Sequence, residues 1–158
     1  QMPFLNKKFR TYKGFAQASL ADLFGEEALG QSRIRQVEEL RSMVFINDGE
    51  ANFTPRALPK IAQASAVFDI FADDFDDDLH PDLLLVGNFF EISTQLGRLD
   101  ALPGLVLKGD GAGGFSWSRE GSLPLPGAAR KVDTLRINGD KTYIIGRNNT
   151  SPVLMQKR

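Results

Sequence analysis

From residue 41 onward, apolar residues occur in short runs that are separated by turns rich in glycine, asparagine and aspartate. Runs of four to six apolar residues between such turns predict β-strands. The predicted strands cover residues 43–46, 66–71, 83–86, 104–107 and 115–117, and Phe53 begins a further returning strand. We therefore expect a mainly β fold for residues 41–158.

Residues 1–40 follow a helical pattern. Apolar residues recur there at spacings of three and four, as in an amphipathic helix: Leu5, Phe9, Tyr12 and Ala16. Ser19 is a predicted N-cap with Asp22 in the first turn, and Ser32 is predicted to begin another short helix that runs to residue 40. We expect this segment to pack its apolar side chains against residues 41–158 instead of forming an independent domain.

An acidic stretch lies between two predicted strands, at residues 73–82. Counted from Asp74, carboxylates stand at positions 1, 3, 5 and 9 of a loop, and a histidine stands at position 7. The members of this set are Asp74, Asp76, Asp78, Asp82 and His80. Alternate carboxylates, completed by the backbone carbonyl at position 7, form the oxygen cage that calcium prefers.

Two other interpretations of the acidic stretch stay open. It is either a solvated charged loop, which is the commonest role of such a run, or a loop that keeps its shape without a metal. The alternate spacing favours the cation loop, because carboxylates that are brought together repel one another unless a cation neutralises them. An EF-hand is excluded, because position 12 is Leu85, inside a predicted strand, where that motif needs glutamate.

Two parts of the strand-rich region match each other. Residues 44–53 align with residues 106–115, and Leu84-Leu85 with Asn88 align with Ile144-Ile145 and Asn148, at offsets of about sixty residues. The last unit has Asn138-Gly139-Asp140 in the place of the acidic stretch, which predicts a hairpin turn without a metal. Repeats of this length suit four-stranded propeller blades.

The Asp-x-Asp-x-Asp-x-x-x-Asp loop, the buried strand that ends in Gly87-Asn88, and the Gly-rich turn at residues 109–114 together resemble the FG-GAP/VCBS repeat. The resemblance covers residues 41–158. It implies blades of an integrin-alpha-like β-propeller, here about two and a half, as the C-terminal fragment of a bacterial member. It also implies calcium in the acidic loop.

The loop departs from that family at two positions. The family usually has glycine at positions 4 and 6, where this chain has Asp77 and Leu79. A leucine at position 6 is strained if its φ is positive. We therefore expect weak calcium binding.

The composition limits the classes of function that the chain can have. The chain has 158 residues, a net charge of −1 and no cysteine, which excludes thiol catalysis and gives no sign of nucleic-acid binding. No apolar run is long enough to span a membrane. Because the first residue is Gln1, we expect the chain to be part of a longer protein.

His80 is the only histidine, so a general base or zinc ligand there has no second histidine to support it. The sequence also has no nucleophile-elbow motif and no metal-binding helix motif.

These observations predict a non-enzymatic, calcium-stabilised propeller module for adhesion or ligand binding, at the cell surface or in another extracellular or periplasmic location. Its expected partner is a protein or a glycan. The alternative is an accessory segment of a carbohydrate-active enzyme whose catalytic part lies outside this sequence. An incomplete ring also leaves blade faces uncovered, which predicts self-association or association with the rest of a longer parent chain.

Overall fold

A computed structural model describes residues 3–93, 95, 97–119 and 122–157 of the chain. It divides into two compact units, residues 1–39 and residues 40–158. The first unit contains the helices α1 Phe4–Lys8, α2 Tyr12–Ala16, α3 Leu20–Phe24 and α4 Glu26–Gly30. The second contains the strands β1 Met43–Asn47, β2 Phe53–Ala57, β3 Val67–Asp73, β4 Asp82–Gly87, β5 Leu105–Gly109, β6 Phe115–Ser116, β7 Ala129–Ile137, β8 Asp140–Arg147 and β9 Val153–Gln156, with a 3₁₀ turn at Lys60–Gln63.

The N-terminal unit consists of helices of five residues each. The prediction of one continuous helix across its first half is wrong, because Phe9 adopts an extended conformation and Thr11 caps α2 by accepting a hydrogen bond from the Gly14 N–H at 3.1 Å. The predicted cap at Ser19 is confirmed. Its hydroxyl accepts from the Asp22 N–H at 3.1 Å, and the Asp22 carboxylate accepts in return from the Ser19 N–H at 2.9 Å.

Ser32 does not begin a helix. Its hydroxyl donates to the Leu29 carbonyl at 2.8 Å, so it closes the end of α4, and residues 33–40 form no regular element. None of the residues of α1–α4 is buried, and Tyr12 is 96% exposed. The packing of this segment against residues 41–158 stays a prediction.

The second unit is mainly β, as expected. Its strands form three antiparallel sheets, in which every strand pairs with its neighbour along the chain: β1-β2, β3-β4-β5-β6 and β7-β8-β9. Most strands begin and end within one or two residues of the predicted positions. Pro55 lies inside β2, opposite Phe45.

The four-stranded sheet lies between the other two, and β4 shows this most directly. All six of its residues are buried. Leu83 and Leu85 join one apolar cluster, with residues around β1 and the 3₁₀ turn, while Leu84 and Val86 join a second cluster that includes Val132 and Ile145 of the β7-β8-β9 sheet. Because neighbouring residues of a strand point to opposite faces, β4 contributes to both cores.

The hairpins β1-β2 and β5-β6 have the same turn. The Asp48 N–H donates to the Asn52 carbonyl at 3.2 Å, and the Asp110 N–H donates to the Gly114 carbonyl at 3.1 Å. In each turn the aspartate carboxylate also accepts from the N–H two residues later, at 2.8 Å. The sequence match between these segments therefore corresponds to matching local structures.

Among the helices that the structure describes, none is long and apolar enough to cross a membrane.

Candidate metal centre

The acidic loop, residues 74–81, connects β3 to β4. The pair Asp73 and Asp82 closes its base as the last pair of the β3-β4 ladder. Asp77 and Leu79 both have positive φ, at 66° and 69°. These are the two positions at which the resembling repeat usually has glycine, and here both residues adopt the left-handed conformation that favours glycine.

Three carboxylates converge within the loop. One oxygen from each of Asp74, Asp76 and Asp78 lies within 4.8 Å of the others. Carboxylate oxygens are the donors that hard cations such as calcium and magnesium select. This group can hold a metal ion, and it contains three of the five predicted ligands.

Asp74 also shapes the loop. Its carboxylate accepts from the Asp77 N–H at 2.7 Å and from the Leu79 N–H at 2.9 Å. These are the two residues with positive φ, so Asp74 holds both of them in place. Partial desolvation alone would raise the pKa of Asp74, but these backbone donors, together with the charge of Lys157, lower it below its ordinary value.

Asp82 has a structural role that the sequence did not indicate. It is fully buried, and its carboxylate accepts from the Phe75 N–H at 3.0 Å and from the Gly109 N–H at 2.8 Å. It therefore connects the acidic loop to β5. Asp82 lies outside the group of three converging carboxylates. Its role as a metal ligand stays a prediction.

His80 lies on the outside of the loop. Its N–H donates to the Asp78 carboxylate at 2.8 Å, which orients one member of the group. A Cβ placed on Gly111 would stand 2.5 Å from the His80 Nδ1, so the ring covers the turn between β5 and β6. The proposed ligand role of its carbonyl also stays a prediction.

Lysines from other strands reach the loop, and sequence reasoning missed all of them. Lys108 of β5 contacts Asp76 at 2.7 Å. Lys157, which follows β9, contacts Asp77 at 2.6 Å and donates to the Asp74 carbonyl at 3.0 Å. No local pattern could have identified these pairs, because the partners lie 32 and 80 residues apart along the chain.

The base of the loop has its own pairing. The Asp73 carboxylate accepts from the Tyr143 hydroxyl at 2.6 Å and from the Lys141 ammonium. Burial, followed by the hydrogen bond to Asp73, raises the pKa of the Tyr143 hydroxyl, which therefore stays protonated as a donor. These bonds attach the end of β3 to β8.

The ion pairs of the loop shift the pKa values of their partners, downward for the carboxylate and upward for the amines. The hydrogen bond from Lys108 lowers the pKa of Asp76 and raises the pKa of Lys108 itself. The hydrogen bond to Asp77 likewise raises the pKa of Lys157. Near neutral pH Asp76 is therefore ionised, and Lys108 and Lys157 are charged.

A cleft of about 370 Å³ opens beside the loop. Its apolar lining comes from both neighbouring sheets and from the loops: Phe75, Val106, Leu123, Tyr143 and Met155. Lys108, Lys157 and Asp76 line it as well. The two lysines and Asp76 thus border the same open space.

The corresponding turn between β7 and β8 is short. Asn138 and Gly139 form it, with φ values of 54° and 94°, which is the conformation of a two-residue hairpin turn. The predicted hairpin is confirmed.

Comparison of the chain with protein-family models, curated proteins and solved structures found no match. The resemblance to the FG-GAP/VCBS repeat thus rests on the loop, the strand and the turn of this chain alone.

Proposed function

We propose that the chain is a non-enzymatic β-propeller module of the FG-GAP/VCBS kind, stabilised by calcium in the acidic loop and used for adhesion or ligand binding. The observation that carries the proposal is the position of the three-carboxylate group. It lies at the end of a four-stranded antiparallel sheet that has a further sheet packed on each face. A stack of such sheets is the arrangement of neighbouring propeller blades.

The strand order supports the proposal. The sheet β3-β4-β5-β6 is a complete four-stranded meander, and β1-β2 and β7-β8-β9 are shorter sheets on either side. This corresponds to one whole blade and two partial ones. Matching turns at Asp48 and Asp110 add a repeat that is independent of the acidic loop.

Calcium is the proposed ion because it accepts carboxylate oxygens in irregular geometry, whereas magnesium requires a nearly ideal octahedron. Leu79 and Asp77 hold positive φ without glycine, which makes the loop harder to adjust around an ion. We therefore propose a dissociation constant of about 10⁻⁴ to 10⁻³ M, the range of extracellular calcium modules. Such an affinity suits an extracellular, cell-surface or periplasmic protein.

Thermal unfolding with and without calcium tests the metal proposal. At 10 mM calcium chloride, an ion bound with this affinity stabilises the folded state by about 1.4–2.7 kcal/mol, which raises the melting temperature by roughly 5–10 °C. Asp78→Asn should abolish the shift, because Asp78 belongs to the converging group.

Asp77→Asn is the matched control. It removes the same charge from the neighbouring residue, but the Asp77 carboxylate turns toward Lys157 and is not part of the group. The calcium shift should persist in this variant. A wild-type protein whose melting temperature does not respond to calcium would contradict the metal proposal.

The proposed partner surface is the outer face of the β1-β2 sheet. Paired residues of these strands share this face, which is apolar except for Asn47 at its end: Met43, Phe45, Asn47, Phe53, Pro55 and Ala57. Phe45 is 64% exposed and Phe53 is 57% exposed. Exposed apolar sheet faces favour association.

We propose that a second copy of the chain, or a further blade of a longer parent protein, covers this face. Light scattering should show concentration-dependent self-association of the wild-type protein, and the double variant Phe45→Ser, Phe53→Ser should shift it to monomer. Exchanging exposed Leu154 for serine, on the β9 strand, is the control for a general loss of apolar surface. A monomeric wild-type protein at high concentration would contradict self-association.

A further inference from the structure

The acidic loop has positively charged groups of its own. Lys108 reaches it from β5 and Lys157 from the segment after β9, with contacts of 2.7 Å and 2.6 Å. The backbone of Lys108 belongs to β5 and that of Lys157 directly follows β9, so the sheets bring both ammonium groups to the loop.

The two lysines have different positions relative to the three converging carboxylates. Lys108 contacts Asp76, a member of that group. Lys157 contacts Asp77, which is outside the group, and the backbone carbonyl of Asp74. An incoming metal ion therefore meets Lys108 at a shared carboxylate, whereas the carboxylate bound by Lys157 lies outside the group.

We propose that Lys108 is a tethered counter-ion of the acidic loop, which neutralises Asp76 in the absence of metal and is displaced when a divalent cation binds. The inference rests on the proposed metal-binding function and extends it. It makes cation binding an exchange: one ammonium leaves the carboxylate group as the ion enters. Lys157 keeps its contact with Asp77 in both states.

Two features support the exchange. An ammonium and a divalent ion on the same carboxylate repel each other, and an ammonium can leave because it is joined to the strand by a flexible four-carbon chain. The side chain of Lys108 is 50% exposed and lines the cleft beside the loop, so it has space to move into.

The test replaces the ammonium by an apolar group of similar length. Lys108→Met should bind calcium about three- to tenfold more tightly than the wild type in calorimetric titration with calcium chloride, because the competing cation is gone. In chelator, the same variant should melt at a lower temperature than the wild type. Lys108→Arg keeps the charge and should leave calcium affinity near the wild-type value.

Lys131→Met is the matched control. Lys131 of β7 forms a similar ion pair, at 3.0 Å, with Asp69, which lies four residues before the end of β3 and outside the group of three converging carboxylates. Its removal changes the net charge by the same amount. Calcium affinity should therefore stay at the wild-type value in this variant, unless the effect of Lys108 arises from overall charge.

The possible outcomes distinguish the displacement of Lys108 from calcium binding itself. Equal calcium affinity of the wild type and Lys108→Met overturns the exchange and leaves calcium binding intact. If only Lys108→Met binds calcium, the exchange stands and the native chain is not a calcium protein. If neither binds calcium, both proposals fall. An equal gain in Lys131→Met also overturns the exchange.

Discussion

The hairpins β3-β4 and β7-β8 have the same framework and different connections. Each begins with a paired residue next to a register shift, at Val67/Asp69 in the first and at Ala129/Lys131 in the second. In each, an asparagine just after the second strand donates its N–H to an alanine carbonyl before the first, at 3.0 Å and 2.8 Å. Eight residues connect the first pair of strands, and two residues connect the second.

The comparison separates what the sheet requires from what the loop adds. Register and the shift near the start of the ladder are common to both hairpins, so they belong to the framework. The carboxylates and their lysine partners are found only at the longer connection. This division agrees with the general tendency of chemical groups to occupy loops that a rigid sheet positions.

The largest difference should appear at two buried residues near the connections, Asp82 and Thr142. Each stands six residues before the asparagine that follows its strand, but Asp82 closes its ladder, whereas Thr142 lies two pairs inside the second ladder. Asp82→Val leaves two backbone N–H groups without an acceptor and should lower the free energy of unfolding by about 3 kcal/mol. Thr142→Val removes the hydrogen bond from the Gln156 side chain and the longer one to the Asp140 carbonyl, and should lower it by about 1 kcal/mol. Urea denaturation measures both.

Both measurements belong in chelator, so that loss of a bound ion does not contribute. If Asp82→Val is destabilised only in the presence of calcium, the role of Asp82 is that of a ligand and not of a link between the loop and β5. Equal losses for the two valine variants would mean that Asp82 and Thr142 contribute equally to stability.

A smaller difference in stability should appear between variants inside the two connections. Leu79 has a φ of 69° and is 89% exposed, so Leu79→Gly removes backbone strain at little loss of packing. We expect a gain of about 0.5 kcal/mol, because relief of strain exceeds the extra chain entropy of glycine in the unfolded state. Asn138→Gly, in the short turn, should give no gain, since asparagine tolerates this conformation.

The comparison of these two glycine variants by thermal unfolding shows whether the acidic loop is strained. A loss of stability in Leu79→Gly, of the size seen in Asn138→Gly, would mean that the loop holds Leu79 without strain. Backbone strain at Leu79 would then not account for weak calcium binding.

Sequence reasoning predicted the features that depend on neighbouring residues. The strand at residues 83–86, the Ser19 cap and the turn at Asn138-Gly139 each follow from a local pattern, and the structure has all three. The convergence of Asp74, Asp76 and Asp78 is of the same kind, because alternate residues of one tight loop determine it.

Features that depend on distant partners were missed. Lys108 and Lys157 are ordinary charged residues in their own segments, and their contacts with the loop exist only because the sheets bring their strands together. The helix predicted from Ser32 failed for a different, local reason, since its hydroxyl donates to the carbonyl of Leu29, three residues earlier. Local spacing could not distinguish a serine that ends a helix from one that begins it.

The order of the strands has a consequence for how the second unit forms during synthesis. In every sheet, neighbours in space are also neighbours along the chain. Within each sheet a strand therefore meets its partner as soon as the next stretch emerges. Apart from the seventeen residues between β4 and β5, the chain closes only short loops there, whose entropic penalty is small. The sheets can assemble one after another from the N-terminal side. The second face of β4 is then covered only when the last sheet, β7-β8-β9, has formed.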